Sequence, residues 1–558
     1  MGIAPLSQLV LGTMYSVWAP KARNVDVVVD GTSHPMTAGD DGWFTCDIPA
    51  TDGARYGFSV DGGPVVPDPR SRRQPDGIHG LSQVWHGSAD LAPLGRDLQG
   101  EVLYEMHVGT FTPDGTLDSA IEKLDYLADL GVTAVELMPL QPCGGTRNWG
   151  YDGVCWHAVA ENYGGPDALE RFVAAAHDRG LAVVLDVVFN HFGPDGNYTG
   201  MFGPYTAGGS TGWGEVVNLQ GPDSDEVRAY ILEAVRIWTE EFGMDGLRLD
   251  AVHALDDTGA VSLVEQIRDV AEPSWVIAET DQNDPKYTEA FRVAQWNDDV
   301  HHAIHAAVSG EDHAYYGDFG SVEVLATTFQ RVFWHDGRYS SFRRRTHGRP
   351  VSDPDYWRFV TYTTTHDQTG NRAAGDRPSM NLTVEQQIAK ATLVLTSPFT
   401  PMLFMGEEWG ASTPFAFFVD HESEELNEGT RQGRTREFAR AGWDPKEVPD
   451  PAALETFLDS KLKWSELDEP DHARVLAEYR RLLDLRRRHQ LDKASLVDIS
   501  WFSEDPADRV DGGVNPTVPP VDHGSGRWIE LTYEAPESEV VVRVNLGAGS
   551  WESTVNVR

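Results

Sequence analysis

Cysteine is scarce in this sequence: a chain of 558 residues contains only three. That odd, sparse count excludes a disulfide framework. Cys46, Cys143 and Cys155 also show no CxxC or Cys/His spacing of the kind that holds structural zinc. A bridge between Cys143 and Cys155 remains an alternative, but free thiols in a reducing cytosol are the better interpretation.

Long hydrophobic runs are absent as well. No stretch of about 18 apolar residues occurs, so we expect no membrane span. Residues 1–20 are mildly apolar but have no basic lead and no clear cleavage site, which argues against a secretory signal. We therefore predict a cytoplasmic protein.

Basic residues are few relative to acidic ones. The chain has 45 Lys and Arg against 87 Asp and Glu, a formal net charge of −42. Like charge repels nucleic acid and anionic lipid, so we predict no nucleic-acid partner and no membrane partner. A neutral polar substrate such as a sugar fits this balance better. Hydrophobic residues make up 40% of the chain, enough for a sizeable core without stabilising disulfides or metal ions.

The two ends of the chain carry β-type patterns. Residues 1–95 contain short β-prone runs such as Val25–Val29, separated by turn signals such as Asp61-Gly62-Gly63. This spacing predicts an N-terminal β-sandwich. Residues 491–558 are β-prone again and predict a small C-terminal β-domain. Residues 96–490 between them form the third predicted domain.

That middle domain alternates strand-like runs with helical patterns, and two of the predicted helices cover residues 117–130 and 260–271. Eight strand candidates begin at Leu103, Ala134, Ala182, Gly246, Trp275, Val293, Phe359 and Pro401. Such alternation favours parallel strands joined by helices, in the α/β class. Eight units over this length predict a (β/α)₈ TIM barrel with insertions. An open doubly wound sheet is the alternative.

Polar residues stand at the carboxyl ends of four of these strand candidates. They are Asp186, Asn190 and His191 at the end of the third; Arg248, Asp250 and His253 at the end of the fourth; Glu279 at the end of the fifth; and His366, Asp367 and Gln368 at the end of the seventh. The carboxyl ends of barrel strands are where active sites form. An Asp at such a place is often only a helix cap, but capping hardly explains four strand ends together.

Two carboxylates facing one cavity suggest glycoside hydrolysis, in which one attacks or activates water and the other protonates the leaving oxygen. Asp250 suits the first role because Arg248, two residues earlier, points to the same strand face and favours the ionised form. Glu279 leaves an apolar strand, so burial would keep it protonated as an acid.

The remaining polar residues of this set suit sugar contacts. Asp367 would be a third carboxylate that bonds sugar hydroxyls, and His191 and His366 would donate to those hydroxyls. Tyr151 offers an aromatic face for a sugar ring, with a packed core aromatic as the equal alternative.

These motifs, in this order and on these strands, resemble the four signature regions of the α-amylase clan, glycoside hydrolase family 13. Finer features resemble one of its families, the maltooligosyltrehalose trehalohydrolases. They include Tyr104-Glu-Met-His-Val-Gly-Thr-Phe-Thr, Trp296-Asn-Asp-Asp-Val-His-His, His366-Asp-Gln-Thr-Gly-Asn-Arg and Phe404-Met-Gly-Glu-Glu-Trp. The resemblance covers residues 12–495.

The resemblance implies roles for individual residues. Asp250 would be the nucleophile, Glu279 the acid/base and Asp367 the transition-state stabiliser. The predicted substrate contacts are Tyr151, His191, Arg248, His253, His366 and Gln368.

It also implies an activity and its partners. The reaction would be hydrolysis of the α-1,4 bond beside the terminal trehalose of maltooligosyltrehalose, without a cofactor. The pathway partner would be a maltooligosyltrehalose synthase.

The sequence leaves two rival functions. A branching or debranching enzyme of the same clan acts on α-1,6 links and also pairs a sandwich with the barrel. A non-catalytic glucan-binding protein is disfavoured because Asp250, Glu279 and Asp367 are all present.

The sequence departs from the family pattern in two places. The segment after Glu279 is shorter than the family pattern, and Thr365 stands where that pattern often has Asn. These departures affect loop contacts and leave the three carboxylates in place.

Three further features have both a structural and a functional interpretation. His301, His302 and His305 have helical spacing that could bind a metal, but the Glu of a zinc-protease helix is missing. Asn190 matches a calcium position of some clan members without an accompanying Asp cluster. We predict no metal at either place. Glu407 and Glu408 follow the eighth strand and suit sugar contact or internal bonding equally.

Overall fold

The computed structural model describes residues 14–210, 214–440, 448–510, 526–547 and 551–558. Residues 1–13, most of the segment considered above for a signal sequence, lie outside these ranges. Within the ranges, no helix has the length and apolar character needed to cross a bilayer.

Eight parallel strands close into a barrel at the centre of the molecule. Their bounds are Leu103–Met106, Ala134–Leu137, Ala182–Val187, Gly246–Leu249, Trp275–Ala278, Ala294–Trp296, Phe359–Tyr362 and Thr400–Phe404. They pair in chain order, and the eighth pairs with the first. The (β/α)₈ prediction is confirmed, and the open doubly wound sheet is excluded.

The strands are apolar runs because both of their faces are buried, inward against the barrel axis and outward against helices. The α-helices span Val108–Phe111, Leu117–Ile121, Leu124–Leu130, Gly165–His177, Ser224–Arg236, Leu263–Ala271, Asp298–Ser309, Val322–Arg331, His366–Gly370, Pro378–Asn381, Val384–Leu395, Glu424–Arg440, Leu454–Asp459 and Pro470–His489. Two short hairpins pair Thr206–Ser210 with Glu215–Val217 and Tyr339–Ser340 with Arg345–Thr346.

The N-terminal region forms two antiparallel sheets. One contains Tyr15–Trp18, Thr37–Ala38 and Trp43–Cys46, and the other contains Val25–Val29, Thr32–Pro35, Arg55–Val60, Val65–Val66 and Ser82–Gln83. Arginines in the segment that leads out of these sheets bind barrel carboxylates: Arg70 pairs with Glu233 at 2.8 Å and Arg73 with Glu161 at 2.7 Å. These ion pairs fix the N-terminal region against the barrel.

The C-terminal region is one antiparallel sheet of Ser495–Ser503, Arg527–Ala535, Ser538–Asn545 and Ser553–Val557. It packs against helices Val322–Arg331 and Val384–Leu395 of the barrel. Arg527 ties the two together, because its guanidinium donates to the carbonyl of Ala307 at 2.8 Å and to Asp508. We propose domain boundaries near residues 95 and 490, where the strand pairing changes.

Candidate active site

A cleft of about 870 Å³ lies at the carboxyl ends of the barrel strands. Eight of the nine residues predicted for the site line it: Tyr151, His191, Asp250, His253, Glu279, His366, Asp367 and Gln368. The ninth, Arg248, lies beneath the floor of the cleft and is fully buried. The structure therefore brings the whole predicted set together around one cavity.

The two predicted catalytic carboxylates come from neighbouring strands. Leu249 and Ala278 are register partners of the fourth and fifth strands, and Asp250 and Glu279 are the next residue on each. The backbone N–H of Ala251 donates to Oε2 of Glu279 at 2.7 Å. Ala251 adopts a left-handed conformation with φ of 40°, which is unusual for a residue with a Cβ. This local strain is stored directly beside both carboxylates.

Two donors orient the Asp250 carboxylate. Nη1 of Arg248 donates to Oδ1 at 3.0 Å, and Nδ2 of Asn190 donates to Oδ2 at 2.9 Å. The same Nη1 donates to Oδ2 of Asp186 at 2.8 Å. The guanidinium is held from the other side by the ring of Trp296, at 4.2 Å from its centroid. Asp250 therefore sits on a rigid support with both of its oxygens in fixed positions.

Burial raises the pKa of Glu279 to about 8. Arg248 opposes this rise, while Asp250 and Asp367 add to it, because a second negative charge near them is unfavourable. Burial likewise raises the pKa of Asp186 to about 6, against the nearby Arg248. Glu279 is thus mainly protonated at neutral pH, as an acid catalyst requires.

A chain of hydrogen bonds connects His366, which follows the seventh strand, to Asp186 and so to Arg248. Burial lowers the pKa of His366, but the carboxylates of Glu105 and Asp367 together outweigh it and raise the pKa to about 9. The imidazolium lies 2.5 Å from Glu105 through Nδ1 and 2.8 Å from the hydroxyl of Tyr151 through Nε2. The Tyr151 hydroxyl donates in turn to Asp186 at 2.6 Å.

This chain uses both ring nitrogens of His366 and the hydroxyl of Tyr151. The expected donation from His366 to a sugar hydroxyl remains a prediction, and it would replace the contact with Tyr151. Tyr151 lines the cleft, and its hydroxyl is bonded inside the protein. Contact between its ring and a sugar ring stays a prediction.

Several cleft residues were not predicted from the sequence. Asp298 accepts hydrogen bonds from the hydroxyl of Tyr362 at 2.6 Å and from Nε2 of Gln368 at 3.1 Å. Asp298 and Asn371 both lie within motifs quoted above. The motifs therefore contain these residues, but the sequence alone gives neither of them a role. Arg434 and Glu437 line the cleft from helix Glu424–Arg440, whose polar sequence has no apolar face to mark it.

The remaining candidates do not line the cleft, with one exception. Glu407 accepts from the hydroxyl of Tyr479 at 3.0 Å, and Glu408 accepts from the hydroxyls of Tyr104 and Tyr126, so both are bonded internally. The ring nitrogens of His305 contact Lys390 and Glu311. His302 alone of the three histidines lines the cleft.

Metal and disulfide chemistry find no support in the part of the chain that the structure describes. No group of three or more His, Cys, Asp or Glu side chains is arranged there to hold a metal ion. Asn190 instead uses its amide on Asp250. Cys46, Cys143 and Cys155 are free thiols.

Comparison with known proteins agrees with this geometry. Residues 71–201 match the family model described as alpha amylase, catalytic domain, and residues 1–70 match carbohydrate-binding module 48, isoamylase N-terminal domain. A solved structure titled as a putative alpha amylase from Salmonella typhimurium superposes with a TM-score of 0.84 at 36% identity, covering 96% of this chain and 91% of that one.

Curated relatives define the family more closely. A malto-oligosyltrehalose trehalohydrolase of Mycobacterium tuberculosis (strain ATCC 25618 / H37Rv) is 51% identical, over 87% of both chains. One from Saccharolobus solfataricus is 42% identical, over 86% of both chains.

The closed barrel and its carboxylate-lined cleft place the protein in the α-amylase class of glycoside hydrolases. With this identity and coverage, the chain belongs to the malto-oligosyltrehalose trehalohydrolase family.

Proposed function

We propose that this protein hydrolyses the α-1,4 glucosidic bond next to the terminal trehalose of maltooligosyltrehalose and releases free trehalose. The observation that carries the proposal is the placement of Asp250 and Glu279 directly after register partners on adjacent strands, in one cleft. Relatives at 42–51% identity over most of the chain carry the name of this activity.

The first step joins the sugar to the protein. A carboxylate oxygen of Asp250 attacks the anomeric carbon, and the bond to the oxygen of the trehalose unit breaks. Glu279 transfers its proton to that leaving oxygen. Arg248 and Asn190 hold the attacking carboxylate in place, which removes the cost of orienting it during the reaction.

The second step releases the sugar. Glu279, now a carboxylate, takes a proton from water, and the resulting hydroxide displaces Asp250 from the anomeric carbon. Two displacements return the α configuration. Asp367 accepts hydrogen bonds from sugar hydroxyls as the ring flattens, and His191, His253, Gln368 and Tyr151 line the same cleft.

Retention requires the two carboxyl groups to lie about 5 Å apart, whereas inversion leaves about 6.5–9.5 Å for a water molecule. Adjacent strands lie about 4.8 Å apart. Side chains that leave neighbouring strands at matched register therefore favour the retaining arrangement.

Product analysis tests the proposal. Incubation with maltotriosyltrehalose is expected to give trehalose and maltotriose, while a branched glucan is expected to stay largely intact. Rapid cleavage of α-1,6 links with no trehalose released would instead support the branching or debranching alternative. The Asp250→Asn variant serves as the control for contaminating activity.

We also propose a cytoplasmic location and a supply of substrate by a maltooligosyltrehalose synthase. Three free thiols suit a reducing compartment. An enzyme that builds the trehalose end on a maltooligosaccharide is the reaction that must precede this one.

A further inference from the structure

We propose that Asn371 and Arg434 are positioning residues for Asp367, and that they couple helix Glu424–Arg440 to the chemistry of the cleft. The inference rests on the proposed function, because it assigns these residues an effect on a transition-state contact. The link runs from Arg434 through the side chain of Asn371 to the carboxylate of Asp367.

Asp367 is only partly held by the rest of the site, through an ion pair of 3.5 Å between its Oδ1 and Nε2 of His366. Its side chain is 42% exposed, whereas Arg248 and His366 near it are almost wholly buried. Nδ2 of Asn371 donates to Oδ1 of Asp367 at 3.1 Å. The backbone N–H of Asn371 also bonds to the carbonyl of Asp367 at 2.9 Å, which fixes the distance between the two residues.

Arg434 in turn fixes the Asn371 amide. Its Nη1 donates to Oδ1 of Asn371 at 3.0 Å. An amide whose oxygen accepts from a cation must present its NH₂ group on the other side, toward Asp367. The two hydrogen bonds therefore define one orientation of Asn371 and, through it, one orientation of the carboxylate.

The guanidinium itself is firmly held. Nη2 of Arg434 donates to the carbonyl of Gly370 at 2.8 Å, and the group lies 4.8 Å from the ring centroids of Phe417 and of Phe438. Only 14% of the side chain is exposed. Arg434 therefore docks helix Glu424–Arg440 onto the turn that carries Asp367.

This helix is also a wall of the cleft. Leu426, Thr430, Gly433, Arg434 and Glu437 all line it. A substrate that contacts the wall can thus act on Asp367 through two hydrogen bonds. The consequence is that loss of the link should reduce the rate of the chemical step more than the binding of substrate.

Kinetics of Asn371→Ala test the inference. We expect kcat for trehalose release to fall about tenfold while KM changes less than about twofold. In an Asp367→Ala background the same substitution should have no further effect, because the group it positions is gone. Arg434→Lys keeps the charge but not the two-pronged contact, and should lower kcat by a smaller factor.

The matched control is Arg431→Ala. Arg431 lies on the same helix but pairs with Glu424 and Asp450 away from the cleft, so kcat should stay at the wild-type value. The inference is wrong if Asn371→Ala lowers kcat by the same factor in the wild-type and Asp367→Ala backgrounds. It is also wrong if Arg431→Ala lowers kcat as much as Asn371→Ala does.

A crystal structure of Asn371→Ala gives a readout that needs no substrate. We expect the Asp367 side chain to leave its present rotamer while the barrel remains unchanged. An unmoved Asp367 would overturn the inference. If wild-type protein releases no trehalose, the proposed function fails, and the Asp367 rotamer in this structure still decides the positioning role.

Discussion

The backbone N–H of Ala251 donates to Oε2 of Glu279 at 2.7 Å, so the residue after one proposed catalytic carboxylate holds the other. A protonated carboxyl group accepts best through its carbonyl oxygen. The contact therefore favours Oε2 as the carbonyl oxygen and places the proton of Glu279 on Oε1. This arrangement prepares Glu279 for donation before substrate binds.

Removal of either carboxylate should stop turnover and leave the fold intact. We expect Asp250→Asn and Glu279→Gln each to lower kcat by about 10³-fold or more. Neither amide changes the volume of the side chain, so circular dichroism and the melting temperature should remain close to wild type. A variant with more than about a tenth of wild-type activity would lose its assigned role.

The pH dependence should report the proton on Glu279. Burial raises its pKa to about 8, and the acid role requires the protonated form. Activity should therefore be sustained up to about pH 8 and then fall about tenfold per pH unit. A rate on maltotriosyltrehalose that stays flat between about pH 7 and pH 9.5 would contradict this assignment.

Arg248 supports two carboxylates at once and should not be replaceable by lysine. One guanidinium nitrogen, Nη1, contacts both Asp186 and Asp250, while the planar group lies against the ring of Trp296. A lysine ammonium lacks the planar group that stacks on Trp296 and fixes this nitrogen between the two carboxylates. We expect Arg248→Lys to lower kcat about 100-fold and to destabilise the protein by about 3 kcal/mol, since a buried carboxylate loses its partner.

Steady-state kinetics and urea unfolding measure the two effects of Arg248→Lys. Arg474→Lys, which alters an exposed pair with Glu385, is the matched control. Wild-type kcat in Arg248→Lys would show that the planar guanidinium is dispensable.

Gly370 is required by close packing at the end of helix His366–Gly370. A Cβ built there would lie 2.1 Å from ring atoms of Trp149, which itself lines the cleft. We expect Gly370→Ala to displace Trp149 or the turn, at a cost of about 1–3 kcal/mol in unfolding free energy. Activity should fall with it, as thermal unfolding and kinetics on the same sample would show. An unchanged melting temperature would indicate that Trp149 moves freely.

Much of the fold could be predicted because the strands are strong local signals. All eight barrel strands were anticipated within a few residues, since apolar runs buried on both faces look alike in sequence and structure. Helix ends were less exact. The predicted helix over residues 117–130 breaks into Leu117–Ile121 and Leu124–Leu130, where the N–H of Lys123 bonds back to Ala120.

Another predicted helix, starting at residue 260, begins instead at Leu263. Ser262 caps it there by accepting from the N–H of Val264. Such capping bonds decide helix ends to within a turn, and hydrophobic spacing alone does not register them.

The site was predictable where a residue follows a strand and unpredictable where a long insertion supplies it. Asp250, Glu279 and Asp367 follow barrel strands and were found, whereas Arg434 comes from a polar helix inserted after the eighth strand. Its role depends on contacts with Asn371 and Phe417, which no periodicity encodes. The resemblance to the α-amylase clan assigned roles to the first group only.

Covalent trapping of the sugar tests the central claim most directly, which is that Asp250 attacks while Glu279 protonates. α-Maltotriosyl fluoride needs no acid to lose fluoride, so the Glu279→Gln variant should form the glycosyl-enzyme and hydrolyse it slowly. Mass spectrometry of the digested protein should then place a maltotriosyl group on the peptide that carries Asp250, as an ester of its carboxylate. A label on another carboxylate, or rapid release of the β anomer with no label, would contradict the account.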